Sequence, residues 1–177
     1  MTHNKNKVII ITGASGSGKT TLVNHLLQFS EFNLQFSISA CTRKKRISEV
    51  NGKDYHFLSV QEFKTKIIAQ DFLEWEEVYK DQFYGTLKDS TERALNLGKN
   101  ILFDIDVRGA NTIKNYFNNQ SIGVFIQAPS ISVALKRLTK RGTESLASRS
   151  IRIQKIEEEM IVGKTMDYQI INDDLNN

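Results

Sequence analysis

Apolar residues run along this chain in two rhythms, and each change of rhythm marks an element. Val8-Ile-Ile-Ile11 is an unbroken, largely β-branched run, so residues 7–12 predict a short strand buried on both faces. A glycine- and serine-rich stretch follows from Gly13 to Gly18. Over residues 19–29 the rhythm turns helical, with Leu22, Val23, Leu26 and Leu27 on one face. Strand, glycine loop and helix in that order point to α/β architecture.

Residues 34–40 alternate Leu, Phe and Ile with Gln and Ser, as a half-buried strand does. Residues 41–54 are polar and basic and predict a loop, and 55–58 a short strand. Ser59 can cap a helix over 60–69, with Glu62 completing a capping box. Residues 72–79 and 82–85 predict two strands joined by a Lys80-Asp81 turn. Residues 34–86 therefore form a β-rich excursion.

The α/β rhythm then resumes. A helix over 87–97 is closed by Gly98. A buried strand follows over 101–105, a helix over 110–117 and a strand over 121–127. Ser130 caps a helix to about 140, Arg141-Gly142-Thr143 breaks it, a helix covers about 146–162, and 168–171 is a last strand. Crossover helices between strands predict a parallel sheet.

The 177 residues suffice for one domain that buries roughly 70% of its surface. Hydrophobic residues at 40% and charged residues at 25% exclude wholesale disorder. The longest aliphatic run is four residues, too short to span a bilayer, and residues 1–7 lack the apolar stretch of a signal peptide. One cysteine, Cys41, excludes an internal disulfide framework; it reads as a packing residue with no histidine partner. His3, His25 and His56 lack metal-ligand spacing. These features favour the cytoplasm, without a membrane. A net charge of +4 suits an anionic partner. No helix-turn-helix or RNA-binding signature marks that partner as nucleic acid.

Gly13-Ala14-Ser15-Gly16-Ser17-Gly18-Lys19-Thr20 fits the pattern G-x-x-x-x-G-K-[ST] between a strand and a helix. Glycines let successive N–H groups curl inward toward phosphate oxygens, and the helix N-terminus adds its dipole. Lys19 would sit between the β and γ phosphates, and the Thr20 hydroxyl can ligate Mg²⁺. This predicts a nucleoside triphosphate site and leaves the phosphoryl acceptor open.

The next basic cluster, Arg43-Lys44-Lys45-Arg46, would suit a dianionic phosphate through its forked guanidinium donors. A charge run of this kind is more often solvated surface. Its surroundings change that judgement. The phosphate loop is followed by Ser39-Ala-Cys-Thr-Arg43-Lys-Lys-Arg46, Glu49-Val-Asn-Gly52-Lys-Asp-Tyr55-His-Phe57 and Phe72-Leu-Glu74-Trp75. Tyr84-Gly85-Thr86, Asp104-Ile-Asp106-Val-Arg-Gly109, Arg141-Gly142-Thr143 and Ile171-Asn172-Asp173-Asp174-Leu175 complete the series. In this order, across nearly the whole chain, the motifs resemble guanylate kinase, a nucleoside monophosphate kinase family.

The resemblance implies Mg²⁺-dependent transfer of the ATP γ-phosphoryl group to GMP, and to dGMP, giving ADP and GDP. It implies a P-loop parallel-sheet core with helices on both faces, at about 1–33 and 87–177. An inserted β-rich acceptor lobe is expected at about 34–86 and a short helical lid at about 138–152. Arg43, Arg46, Tyr55 and Tyr84 are expected at the GMP phosphate; Ser39, Glu74, Thr86, Asp106 and Gly109 are expected at the guanine side. Gly13 to Thr21 and Asn172 are expected at ATP, with Thr20 as the protein's metal ligand. The catalytic group would be Lys19, Arg43, Asp104, Arg137, Arg141 and Arg152. Asp104 would orient either Mg²⁺-bound waters or Lys19, and the arginines would clamp the ATP phosphates.

Chemistry supports the base assignment. Guanine offers two adjacent donors, N1–H and the 2-amino group, and an ionised Glu74 is acceptor-only. Adenine lacks both donors and would leave a buried carboxylate unpaired. Three rivals stand beside it: a non-catalytic guanylate-kinase-like module that binds phosphorylated peptides, a P-loop kinase for another small acceptor, and a nucleic-acid binder using the basic loop, which no helix-turn-helix or RNA-binding signature supports. Three departures from the family pattern stand out. Lys44-Lys45 occupies a stretch that often holds proline, which predicts a more mobile acceptor loop. Ser48 stands where glycine is common. The chain stops at Asn177, where the family continues with a C-terminal helix, which bears on stability more than on chemistry.

Overall fold

A computed structural model describes residues 7–139 and 147–173, apart from the side chains of 147–152. Its elements in chain order begin with β1 (Val8–Gly13), α1 (Lys19–Leu26), β2 (Leu34–Phe36), β3 (Ala40–Cys41) and β4 (His56–Phe57). Then come α2 (Val60–Ile68), β5 (Phe72–Tyr79), β6 (Gln82–Leu87), α3 (Lys88–Asn96) and β7 (Asn100–Asp104). The chain continues through α4 (Val107–Phe117), β8 (Ser121–Gln127), α5 (Ile131–Thr139), α6 (Ala147–Gly163) and β9 (Tyr168–Ile171).

Five strands in the order β2-β7-β1-β8-β9 form an all-parallel sheet. β1 lies at its centre, which explains its uninterrupted hydrophobicity: both faces are covered. Val8 and Ile10 pack with Ile101, Phe103 and Phe125 under Ala110 and Ile113 of α4, Leu135 of α5 and Ile156 of α6. Ile11, Leu102 and Ile126 point the other way, onto Val23, Leu22 and Leu26 of α1. Helix α1 is shorter than the predicted 19–29. Three-residue turns, Gln28 N–H to His25 O and Phe29 N–H to Leu26 O, end it.

A second sheet, β4-β3-β6-β5, makes the inserted lobe. Its core is aromatic: Phe63 of α2, fully buried, stacks on Phe72 at 4.3 Å and on Phe83 at 5.4 Å between ring centroids. The predicted capping box is formed, with Ser59 Oγ accepting from Glu62 N–H and Glu62 Oε2 accepting from Ser59 N–H. Residues 34–36, expected to open the lobe, instead pair in parallel with β7 at the edge of the core sheet. The alternation of 34–40 spans two strands in different sheets, β2 and β3, separated by residues 37–39. At the far end the lobe returns without a linker, because Leu87 ends β6 and caps α3. Gly98, at φ 79°, closes α3 in a Schellman turn: Lys99 N–H donates to Ala94 O and Gly98 N–H to Leu95 O. Among the described residues no helix is long and apolar enough to cross a membrane.

Candidate active site

The loop from Gly13 to Thr20 joins the central strand to the start of α1, where the sheet's carboxyl edge opens to ligands. Its glycines are needed where the loop touches its walls. A Cβ on Gly13 would lie 2.2 Å from the Ile126 carbonyl oxygen. Gly16 and Gly18 have φ of 79° and 85°, and a Cβ on either would meet Ala134 O or Asn172 Nδ2 at 2.4 Å. The loop is braced from outside. Asn172 Nδ2 donates to Ser17 O at 2.7 Å, and Ser15 N–H donates to Glu159 Oε2 at 2.8 Å. Ser17 Oγ is buried and has no hydrogen-bond partner among the described residues. Thr21, one residue into α1 beyond Thr20, is exposed.

Asp104 ends β7 beside the loop. Its carboxylate accepts the Thr20 hydroxyl at 2.8 Å and lies 3.4 Å from Lys19 Nζ. A hydroxyl and a carboxylate in contact are hard oxygen donors, the chemistry that Mg²⁺ requires. Among the described residues no group of three or more His, Cys, Asp or Glu side chains forms a protein-only metal cage.

Arg137 of α5 lies at the same loop. Nη1 donates to Ser17 O at 3.4 Å and Asn172 O at 2.9 Å, and Nη2 donates to Asp173 O at 2.9 Å. This arginine, expected as a phosphate clamp, here braces the phosphate loop against the segment after β9. Arg141 lies outside the described residues, as does the side chain of Arg152; residues 140–146 of the expected lid at 138–152 fall there too.

In the inserted lobe Arg43 makes a two-pronged ion pair with Glu49, at 2.7 and 2.6 Å. Its guanidinium lies over the Tyr55 ring, 4.8 Å from the centroid. Tyr84 meets Tyr55 edge-on at 6.2 Å. Arg46 is exposed; its backbone N–H donates to Glu49 Oε2 at 2.8 Å. The stretch without proline is therefore fastened by Glu49, and the looser loop expected from Lys44-Lys45 meets a different restraint. The Arg43 guanidinium and the Arg46 N–H hold the Glu49 carboxyl down at about 2.

Glu74 on β5 accepts the hydroxyl of fully buried Thr86 at 2.6 Å. Burial pushes the Glu74 carboxyl above its ordinary range; the Thr86 hydrogen bond opposes the shift and the charge of Asp106 adds to it. Glu76, two residues on along β5, is also raised, by burial first and then by Asp106. Asp106 caps α4, accepting Gly109 N–H at 2.8 Å. Gly109 abuts Glu74: a Cβ there would come within 3.1 Å of Glu74 Oε2. Ser39 is half-buried at the edge of β3, and its carbonyl accepts His56 N–H.

The segment 104–109 thus touches both groups of residues, with Asp104 at the phosphate loop and Gly109 at Glu74. A cavity of about 550 Å³ lies beside it, lined by Glu76, Asp106, Arg108, Lys155 and Glu159 among others. A larger one, about 710 Å³, lies between the core and the lobe near Phe36, Lys66 and Lys88 and contains none of the predicted site residues. Sequence reading missed Glu159, whose contact with Ser15 spans 144 positions and has no local signature. It quoted Glu49 only as part of a motif, although a carboxylate near two arginines is a visible signal.

Comparison with known proteins agrees with this geometry. The family profile described as guanylate kinase matches residues 5–177. The chain is 47% identical over 169 residues to a guanylate kinase of Porphyromonas gingivalis, covering 96% of this chain and 90% of that protein. It is 43% identical over 169 residues to one of Salinibacter ruber, covering 96% and 89%. The crystal structure of guanylate kinase from Anaplasma phagocytophilum superposes with a TM-score of 0.74 at 26% identity, covering 97% of this chain and 79% of that one. The chain belongs to the guanylate kinase family.

Proposed function

We propose that this member of the guanylate kinase family transfers the γ-phosphoryl group of ATP to GMP or dGMP, giving ADP and GDP or dGDP. The observation that carries the reading is the segment 104–109. One end contacts Lys19 and Thr20 of the phosphate loop, and the other abuts the acceptor-only edge of Glu74. ATP phosphates would lie on the N–H groups of residues 13–21, with Lys19 neutralising charge as the transferring group separates. Mg²⁺, held through Thr20 with Asp104 behind it, would neutralise the β and γ oxygens when bound.

On the acceptor side, Arg43, Arg46, Tyr55 and Tyr84 would hold the GMP phosphate. Glu74 has about four acceptor positions and gives two to Thr86, through its hydroxyl and its backbone, so two remain for N1–H and the 2-amino group. Ser39 and Asp106 would complete the base and ribose side. Arg137 spends three of its N–H groups on carbonyls, which leaves Nε–H and one Nη2–H for a phosphate oxygen pair. Arg141 and Arg152 are proposed to join it. Transfer would be direct and in-line, because such chemistry needs alignment and neutralisation more than a covalent intermediate. The inserted lobe is proposed to begin after Phe36 and end near residue 87. The cytoplasm, where ATP and GMP are both plentiful, is the proposed location.

An acceptor panel tests the reading: ADP release with ATP and Mg²⁺, offering GMP, dGMP, AMP, UMP or no acceptor. Turnover with GMP and dGMP is expected, with AMP slower by on the order of 10⁴-fold. Equal rates with AMP, or ADP release independent of acceptor, would overturn it.

A further inference from the structure

Glu49 holds Arg43 by the Nη1/Nη2 end of its guanidinium. A guanidinium carries five N–H donors, two on each Nη and one on Nε. Nη1 donates to Glu49 Oε2 at 2.7 Å and to Lys44 O at 3.1 Å, which uses both of its hydrogens. Nη2 gives one hydrogen to Glu49 Oε1 at 2.6 Å. The Tyr55 hydroxyl is also within hydrogen-bond reach of Arg43, and Nε–H and the second Nη2–H have no carboxylate or carbonyl partner among the described residues. These two lie in one plane on the side edge of the guanidinium, a fork matched to a pair of phosphate oxygens.

We infer that Glu49 is a positioning residue: it grips the end of the Arg43 guanidinium so that the Nε/Nη2 edge is aimed at the acceptor phosphate. The inference rests on the reading of Arg43 as a ligand of the GMP phosphate and names a residue to which that reading gives no role. Three further features support it. Glu49 Oε2 also accepts Arg46 N–H at 2.8 Å, and its carbonyl accepts Lys45 Nζ at 3.1 Å, so the carboxylate is tied into the loop that carries both arginines. The Tyr55 and Phe57 rings pack together against one side of the guanidinium, with centroids 4.8 and 5.5 Å from its central carbon and 5.8 Å from each other, and limit its movement toward that side. Both side chains of the pair are largely covered, with 15% and 12% of their surface exposed.

The inference has a sign that simple electrostatics lacks. Glu49 is a negative charge next to the place for a dianion, and through-space repulsion alone would make it unfavourable for GMP. If orientation outweighs repulsion, removing the charge weakens binding. Glu49→Gln keeps the shape, but its amide N–H₂ faces an Arg43 Nη donor, so one prong is lost and the guanidinium can rotate.

The experiment measures Kd for GMP and for guanosine by titration calorimetry, on wild type, Glu49→Gln, Glu49→Asp, Arg43→Ala and the Arg43→Ala/Glu49→Gln double variant. Guanosine reports the base site and an intact lobe; GMP adds the phosphate. Expected are a tenfold or larger loss of GMP affinity in Glu49→Gln, guanosine affinity within twofold of wild type, partial recovery in Glu49→Asp, and a double variant no worse than Arg43→Ala alone. Unchanged or tighter GMP binding in Glu49→Gln overturns the inference, as does equal loss of guanosine and GMP in both Glu49 variants. Should Arg43→Ala itself leave the GMP-to-guanosine ratio unchanged, the underlying assignment of Arg43 fails instead. That outcome is distinct from a normal Glu49→Gln beside a damaged Arg43→Ala, which sinks the inference alone.

Discussion

Replacing Glu74 by glutamine should move substrate affinity and protein stability in opposite directions. In the folded chain the Glu74 carboxylate accepts the Thr86 hydroxyl at 2.6 Å and is also hydrogen-bonded by the Thr86 backbone, and burial raises its pKa. A raised carboxyl pKa means the folded state prefers the neutral form. The group therefore favours folding below the unfolded-state value and loses that contribution as pH rises through the folded one. Glutamine stays neutral, its Oε1 can still accept from Thr86, and the cost of burying charge disappears. The free variant should melt at or above the wild-type temperature at neutral pH. Guanine binding should suffer. One of the two guanine donors would face an amide N–H₂, losing a hydrogen bond to a charged acceptor and leaving a buried donor unpaired, at about 3 kcal/mol in all. That is a loss of roughly 10²-fold in GMP affinity. The assay pairs calorimetric titration of GMP and ATP with thermal melting. A fall in melting temperature of several degrees, or GMP affinity within threefold of wild type, would refute the reasoning; so would a parallel loss of ATP affinity.

Three more predictions follow from named contacts. GMP affinity should fall on acidification, with a midpoint above 4.5, the ordinary Glu74 value, because guanine needs the ionised carboxylate; ATP affinity should not share that midpoint. Glu49, held at about 2, stays ionised across this window, and its own stabilising contribution is lost only as pH falls from 4.5 toward about 2. Asp104→Asn should lower kcat by on the order of 10²-fold, because Lys19 and Thr20 lose their charged anchor, with GMP KM little changed in initial-rate measurements. Phe63→Ala empties the centre of the lobe core and should cost about 3–5 kcal/mol. That corresponds to a drop on the order of 10 °C in a melting experiment, with GMP binding lost before ATP binding.

Much of this architecture is legible in the residues because the signals are local. A β-branched run without alternation announces a central strand, and the phosphate loop carries its own strand-and-helix context. The Ser59/Glu62 box places α2, and Gly98 closes α3. What escapes is non-local. Nothing in residues 34–36 says that they pair with β7 and not with the lobe; three residues in extended conformation suit either edge, and only the packed sheet decides. The family resemblance, and not the local pattern, implies Arg137 near the phosphate loop, and its bonds to the carbonyls of Ser17, Asn172 and Asp173 depend on where β9 returns. Glu159 reaches Ser15 for the same reason. Glu49 shows a subtler gap: the motif places it near Arg43, yet which edge of the guanidinium it takes appears only in three dimensions.

The central claim is that two anion cradles, one for a nucleoside triphosphate and one for a guanine monophosphate, serve a single transfer path. A bisubstrate ligand with adenosine and guanosine joined through five phosphates tests it directly. The account predicts that this compound competes with both ATP and GMP, binds about 10²-fold or more tightly than either, and outcompetes its diadenosine counterpart. Competition with only one of the two substrates, or equal binding of the two pentaphosphates, would contradict it.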